Sequence, residues 1–84
     1  MITIEDFSRL PKNEQVYKLF HEGKEVFARK HLQRIVKLFL IESLFVEVWY
    51  CPHMNIIEKI KVIDEEELID LYEKEINIKE LINI

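Results

Sequence analysis

Residues 45–63, FVEVWYCPHMNIIEKIKVI, constrain the fold more than any other part of the chain. They read as two strands joined by a tight turn. Residues 45–50 alternate as a pleated strand does, with Val46, Val48 and Tyr50 on one face and Phe45, Glu47 and Trp49 on the other. In the next strand Ile56, Glu58, Ile60 and Val62 share one face, and Ile57, Lys59, Lys61 and Ile63 share the other. Parity decides the turn. A four-residue loop over 52–55 pairs Cys51 with Ile56 and brings Val46 and Val48 onto the face of Lys59 and Lys61. A three-residue loop over 53–55 pairs Pro52 with Ile56. It sets Val48 opposite Ile60, Val46 opposite Val62 and Glu47 opposite Lys61, so apolar residues meet and opposite charges meet. The three-residue loop is the expectation, with Asn55 supplying the positive φ that such loops need.

The flanking segments extend this hairpin into an α+β domain spanning residues 1–84. Thr3 caps a short first helix with Asp6 in its first turn. Pro11 restricts Leu10 and suits the first position of a second helix, which runs to about Glu22. Val16, Leu19 and Phe20 lie on one side of it. Gly23, the only glycine, is placed to end that helix in a left-handed conformation. Residues 25–31 form a strand with Val26 and Ala28 on one face and Phe27 on the other. Residues 35–41 form a strand that is apolar on both faces, and Glu42-Ser43 turns the chain into the strand at Phe45. The result is N-terminal helices, a four-stranded antiparallel meander and a C-terminal helix. Asp64 caps that last helix, with Glu67 completing a capping box and Leu68, Leu71, Tyr72 and Ile76 forming its apolar stripe. The tail 77–84 is apolar at Ile78, Leu81, Ile82 and Ile84 and is expected to dock.

Gly23, Val36, Leu38, Phe39, the segment VEVWY after Phe45, then Pro52, Asn55 and Ile57 form a pattern that runs along nearly the whole chain. In these positions the chain resembles a group of small uncharacterised proteins from Bacteroidetes. It departs from them at Cys51, where an acidic residue is usual, and at Ser43, where a turn glycine is usual. The resemblance implies the fold and leaves the function open. Abundant Ile, Lys, Glu and Asn beside a single alanine point to an AT-rich, bacterial source.

The residues argue against most chemistry. A zinc site needs three or four converging ligands with recognisable spacing, whereas this chain has one cysteine and three scattered histidines. Cys51 lies too close in sequence to His53, across a tight turn, for a productive nucleophile–base pair. One glycine leaves no phosphate-cradling loop. The expectation is a non-enzyme with no catalytic residue, metal or cofactor, and no small-molecule substrate is identified. The N-terminal segment is acidic rather than signal-like, and the apolar runs are too short to cross a bilayer. With a lone cysteine, the expected setting is the cytoplasm.

Charge is unevenly placed on a net of −4. Residues 24–37 carry an excess of four positive charges and residues 64–80 an excess of six negative ones. The basic stretch offers Arg29, Lys30, Arg34 and Lys37, interleaved with aromatics, as an alternative site for single-stranded nucleic acid. Overall acidity argues against it. The favoured expectation is a protein-interaction module, with itself or another protein as partner. Strand 35–41 is apolar on both faces, and two short helices leave sheet surface over. The predicted contacts of a homodimer are Phe39, Phe45 and Trp49, flanked by the Glu47–Lys61 pair. The competing arrangement closes the core, with the N-terminal helices on one face and the C-terminal helix on the other.

Overall fold

Helices α1 (Ile4–Arg9) and α2 (Lys12–Glu22) lead into strands β1 (Lys24–His31), β2 (Arg34–Ile41), β3 (Leu44–Cys51) and β4 (Ile56–Ile63), and helix α3 (Glu65–Tyr72) follows. A computed structural model of the chain describes residues 1–76. The strands pair in sequence order, β1-β2-β3-β4, and every pairing is antiparallel. This is the expected α+β meander. The tail at 77–84, which the sequence suggests will dock, lies outside the described residues.

The sheet separates two apolar clusters. Phe39, Ile41, Leu44, Val46 and Val48 face the N-terminal helices and bury Phe7 of α1 and Leu19 of α2. Leu38 and Ile63 face the other way and bury Leu68 and Tyr72 of α3, with Phe27 and Phe45 packed beside them. The alternation in β3 therefore assigns Val46 and Val48 to one layer and Phe45, Glu47 and Trp49 to the other, as the period of two requires. Helices on both faces form the competing arrangement, and among the described residues coverage is complete on neither side.

Local chemistry explains the element ends, and three differ from expectation. The Thr3 hydroxyl accepts from the Asp6 N–H at 3.0 Å, and the Asp64 carboxylate accepts from the Glu67 N–H at 2.9 Å, each closing an orphan donor of a first turn. Glu67 does not complete a capping box, because its carboxylate pairs with Lys61 at 2.9 Å. Pro11 stands at the N-cap of α2 (φ −57°, ψ 153°), one residue before the expected position. Gly23 is extended (φ −87°, ψ 168°) rather than left-handed. Close approach makes glycine necessary here: its N–H donates to the Leu19 carbonyl at 2.9 Å, and a Cβ at this position lies 2.7 Å from the same oxygen.

Two β-bulges revise the strand readings. In β1 the register shifts between Glu25 and Phe27, leaving Val26 as the extra residue. Val26 and Phe27 consequently both pack on the α3 side, where strict alternation separates them. In the second hairpin Cys51 pairs with Ile56, so the loop has four residues, not three. Further along, Val48 pairs with Ile60, Val46 with Val62 and Glu47 with Lys61, the register favoured by the side chains. The bulge reconciles the two: pairing jumps from Tyr50–Ile57 to Trp49–Lys59, and Glu58 is left over. Parity selects the register of the strand bodies but is blind to an inserted residue near the tip. Asn55 does take the left-handed conformation (φ 54°), and Leu32 and Glu42 do so in the other two loops (φ 57° and 52°).

Candidate functional site

The five predicted interface residues do not share a surface. Phe39 is only 3% exposed on the α2 side, with its ring edge-to-face against Phe20 at 5.1 Å. Phe45 is half-buried on the α3 side. Glu47 is 1% exposed. Trp49 is half-buried, and Lys61 is exposed and paired with Glu67 rather than with Glu47. Glu47 and Lys61 are cross-strand partners in the register, but their charges are satisfied elsewhere. The correction to the flat apolar face is that Phe39 points to the opposite layer and Glu47 is sealed under α3.

Glu47 is instead the centre of a buried polar cluster. Its carboxylate accepts from the Tyr72 hydroxyl at 2.7 Å, from Arg29 Nη2 at 3.0 Å and from Trp49 Nε1 at 3.0 Å. Arg29 Nε also donates to the Tyr72 hydroxyl oxygen at 3.0 Å. The guanidinium lies 5.4 Å from both the Trp49 and the Tyr72 ring centroids. Burial pushes the Glu47 carboxyl up, but the bonds from Tyr72, Arg29 and Trp49 outweigh it and hold the group below its ordinary range. Burial, reinforced by the bond to Glu47, pushes the Tyr72 phenol up to about 12. A charged carboxylate that accepts three hydrogen bonds and is 1% exposed has no proton to give and no access to a ligand. The cluster ties β1, β3 and α3 together.

The four basic residues of the nucleic-acid alternative are likewise dispersed. Arg29 is committed to Glu47, Arg34 forms a two-pronged pair with Glu58, and Lys37 pairs with Glu25 at 3.1 Å. Arg29 and Lys30 are successive strand residues and point to opposite faces. Among the described residues no group of three His, Cys, Asp or Glu side chains converges as a metal site, and Cys51 is buried.

The open concave surface lies on the α2 side. Strands spaced about 4.8 Å apart make a four-stranded sheet wider than one helix of about 10 Å can cover. Helix α2 packs on β2. Beside it, over the β3–β4 tip, lies a groove of about 1010 Å³. Its floor is Val48, Tyr50 and Ile57, its wall is Val16 and Phe20, and Ile56 borders it at the hairpin tip, where it pairs with Cys51. Phe20 is 51% exposed and Ile56 is 48% exposed. Lys12 and Lys37 stand at the groove, and among the described residues no carboxylate side chain lines it. Lys12 Nζ reaches across from the first turn of α2 and donates to the Ile57 carbonyl, beside the residue that the bulge leaves over. The Tyr50 hydroxyl donates to Asn55 Oδ1 at 2.5 Å and braces the loop that forms the far end.

Sequence reasoning missed this groove. The signals were present: α2 carries Val16, Tyr17 and Phe20 beyond the single buried Leu19, and Met54, Ile56 and Ile57 crowd the hairpin tip. What was missing is the bulge at Glu58, without which Ile57 is assigned to the wrong layer. No helix among the described residues is long and apolar enough to cross a membrane. No family model, curated protein or solved structure matches the chain.

Proposed function

We propose that this chain is a small, non-catalytic protein-interaction module of the bacterial cytoplasm, and that it binds its partner protein through the groove between α2 and the β3–β4 hairpin. The observation that carries this reading is the open apolar floor of Val48, Tyr50 and Ile57 beside Phe20, which is 51% exposed. Large exposed apolar residues are ordinary when scattered, but a contiguous concave set marks a contact surface. The groove is open-sided, which suits a protein segment. Small-molecule sites of comparable size enclose most of their ligand. The proposed interaction role is the same, while its surface moves from Phe39, Phe45 and Trp49 to the groove beside α2. A homodimer through the groove is one form of it.

The test is site-specific photo-cross-linking in the cells that express the protein. A photoreactive residue replaces Phe20, which lines the groove and is 51% exposed, and, as the control on the other layer, Leu71 of α3, which is 41% exposed. A discrete adduct from position 20 and none from 71 is expected. An adduct of twice the chain mass identifies a second copy as the partner. Equal labelling from both positions, or none from 20, sinks the reading.

A further inference from the structure

We infer that the two hairpin tips at one end of the sheet dock on an anionic lipid surface, with Leu32 and Met54 as the inserting residues. This surface is separate from the groove and goes beyond the reading built on it. The meander brings the β1–β2 loop and the β3–β4 loop to the same end, where Ile35 pairs with Tyr50. The tips stand about two strand spacings apart, roughly 10 Å. Leu32 at one tip is 89% exposed, and Met54 at the other is 62% exposed. Leu32 is the first residue of a two-residue loop and is held at φ 57°, where such loops favour Gly. The matching position in the β2–β3 loop, at the other end, holds Glu42 at φ 52°. A leucine at the tip costs the backbone and joins neither core cluster, so folding does not explain it.

Charge selects the surface. The tip segments 30–34 and 51–59 carry Lys30, Arg34 and Lys59 against Glu58 alone, an excess of two positive charges. Arg34 takes up Glu58, and Lys30 and Lys59 have no carboxylate within ion-pair distance among the described residues. The other end of the sheet carries Glu42 in its loop, and Asp64, Glu65 and Glu66 where β4 passes into α3. A chain of net charge −4 is thus polarised along its strands, and an anionic surface attracts the tip end. Behind the tips the Lys59 ammonium lies 4.2 Å from the centroid of the half-buried Trp49 ring. Indole rings and lysine stems sit readily at the headgroup level of a bilayer. Shape separates lipid from a protein partner. A stable protein interface takes about 800 Å² from each side. Two projecting side chains offer a small part of that, whereas a bilayer admits them without a matching socket. The contact lies on the membrane and does not span it, adding apolar insertion to charge attraction.

The experiment is sedimentation of the full chain with vesicles of phosphatidylcholine alone and of phosphatidylcholine with about one third phosphatidylglycerol, at low and high salt. Binding to the anionic vesicles that weakens with salt is expected, with none to the neutral ones. Leu32→Asn should lower the partition coefficient at least roughly tenfold, since it removes an inserted apolar side chain. Asn suits φ 57°, so this variant keeps the fold, and its melting curve checks that. Lys30→Gln should lower binding about fivefold. Glu66→Gln, exposed at the other end, should change it less than about twofold. Absence of binding to anionic vesicles, equal binding to neutral ones, or binding indifferent to Leu32→Asn overturns the inference. So does a discrete protein adduct from a photoreactive residue at position 32 in cells, which gives the tips to a protein partner. An adduct from position 20 without vesicle binding overturns the lipid contact and leaves the groove reading standing. Vesicle binding without that adduct supports the lipid contact and removes the groove reading.

Discussion

Replacing Glu47 with Gln is expected to cost about 3 kcal/mol of folding stability. The substitution keeps shape and removes the charge that organises Arg29, Trp49 and Tyr72. Breaking a buried ion pair from one side costs about 3–5 kcal/mol, because the remaining charge stays behind without its partner. The Arg29 side chain is 18% exposed, so water reaches part of the orphaned guanidinium and the lower end of that range applies. For a domain of this length each kcal/mol lowers Tm by roughly 4–8 °C, which puts the loss above about 10 °C. Thermal and urea unfolding of wild type, Glu47→Gln, Arg29→Met and the double variant close a cycle whose coupling should be about 1.5–3 kcal/mol. The acid limb gives a second readout. The folded carboxyl titrates below its ordinary value of 4.5, so its contribution is present above that pH and is lost as pH falls through the folded value. The stability gap between wild type and Glu47→Gln should therefore narrow in acid. A loss under about 0.5 kcal/mol, or single effects that simply add, would refute the reasoning that this carboxylate is paired and sealed.

Four further outcomes follow from the same geometry. Of the tyrosines Tyr17, Tyr50 and Tyr72, one should ionise late in an ultraviolet titration, near 12, and Tyr72→Phe should abolish that late step. Because the folded value is raised, the stabilisation linked to the neutral phenol is complete below pH 10 and fades as pH rises toward 12, a loss visible in alkaline melts of wild type but not of Tyr72→Phe. Gly23→Ala should destabilise by about 1–3 kcal/mol by urea unfolding, since its methyl meets the Leu19 carbonyl at 2.7 Å while φ itself is unstrained. Asp64→Ala should cost about 1 kcal/mol by removing the cap of α3. Leu32→Asn should stabilise by about 0.5–1 kcal/mol, because Leu32 is 89% exposed and held at φ 57°, a region that Asn enters more readily.

Much of the architecture was legible because it follows from short-range periodicity. The alternation in β3, the caps at Thr3 and Asp64, the turn at Glu42-Ser43 and the meander order all rest on residues close together in the chain. The register failures have one physical source: a single inserted residue changes which side faces inward. Val26 in β1 and Glu58 in β4 each shift register by one, and neither carries a residue type that marks a bulge. Gly23 was correctly singled out but for the wrong reason, since a glycine required by proximity looks the same in sequence as one required by positive φ. The candidate site was the least legible part. Glu47 was placed against Lys61 from register alone, whereas Arg29 and Tyr72 reach it from β1 and α3, and no local pattern encodes those distances. The α2 groove exists only after β2 has been covered and the hairpin tip has rotated through its bulge.

The Glu47 cluster also bears on how long the folded state lasts. Every strand pairing joins neighbours in sequence, so the sheet assembles through short loop closures. The cluster instead joins groups 18, 25 and 43 residues apart, and the last two of these links wait for α3 to arrive. Its bonds belong after the folding barrier rather than before it. Substitutions there should leave the refolding limb of a chevron close to wild type and steepen escape from the native state. A loss of about 3 kcal/mol assigned wholly to that limb shortens the native lifetime on the order of a hundredfold. In this chain the buried carboxylate acts as a latch: it adds little to the speed of closing and governs the rate of opening.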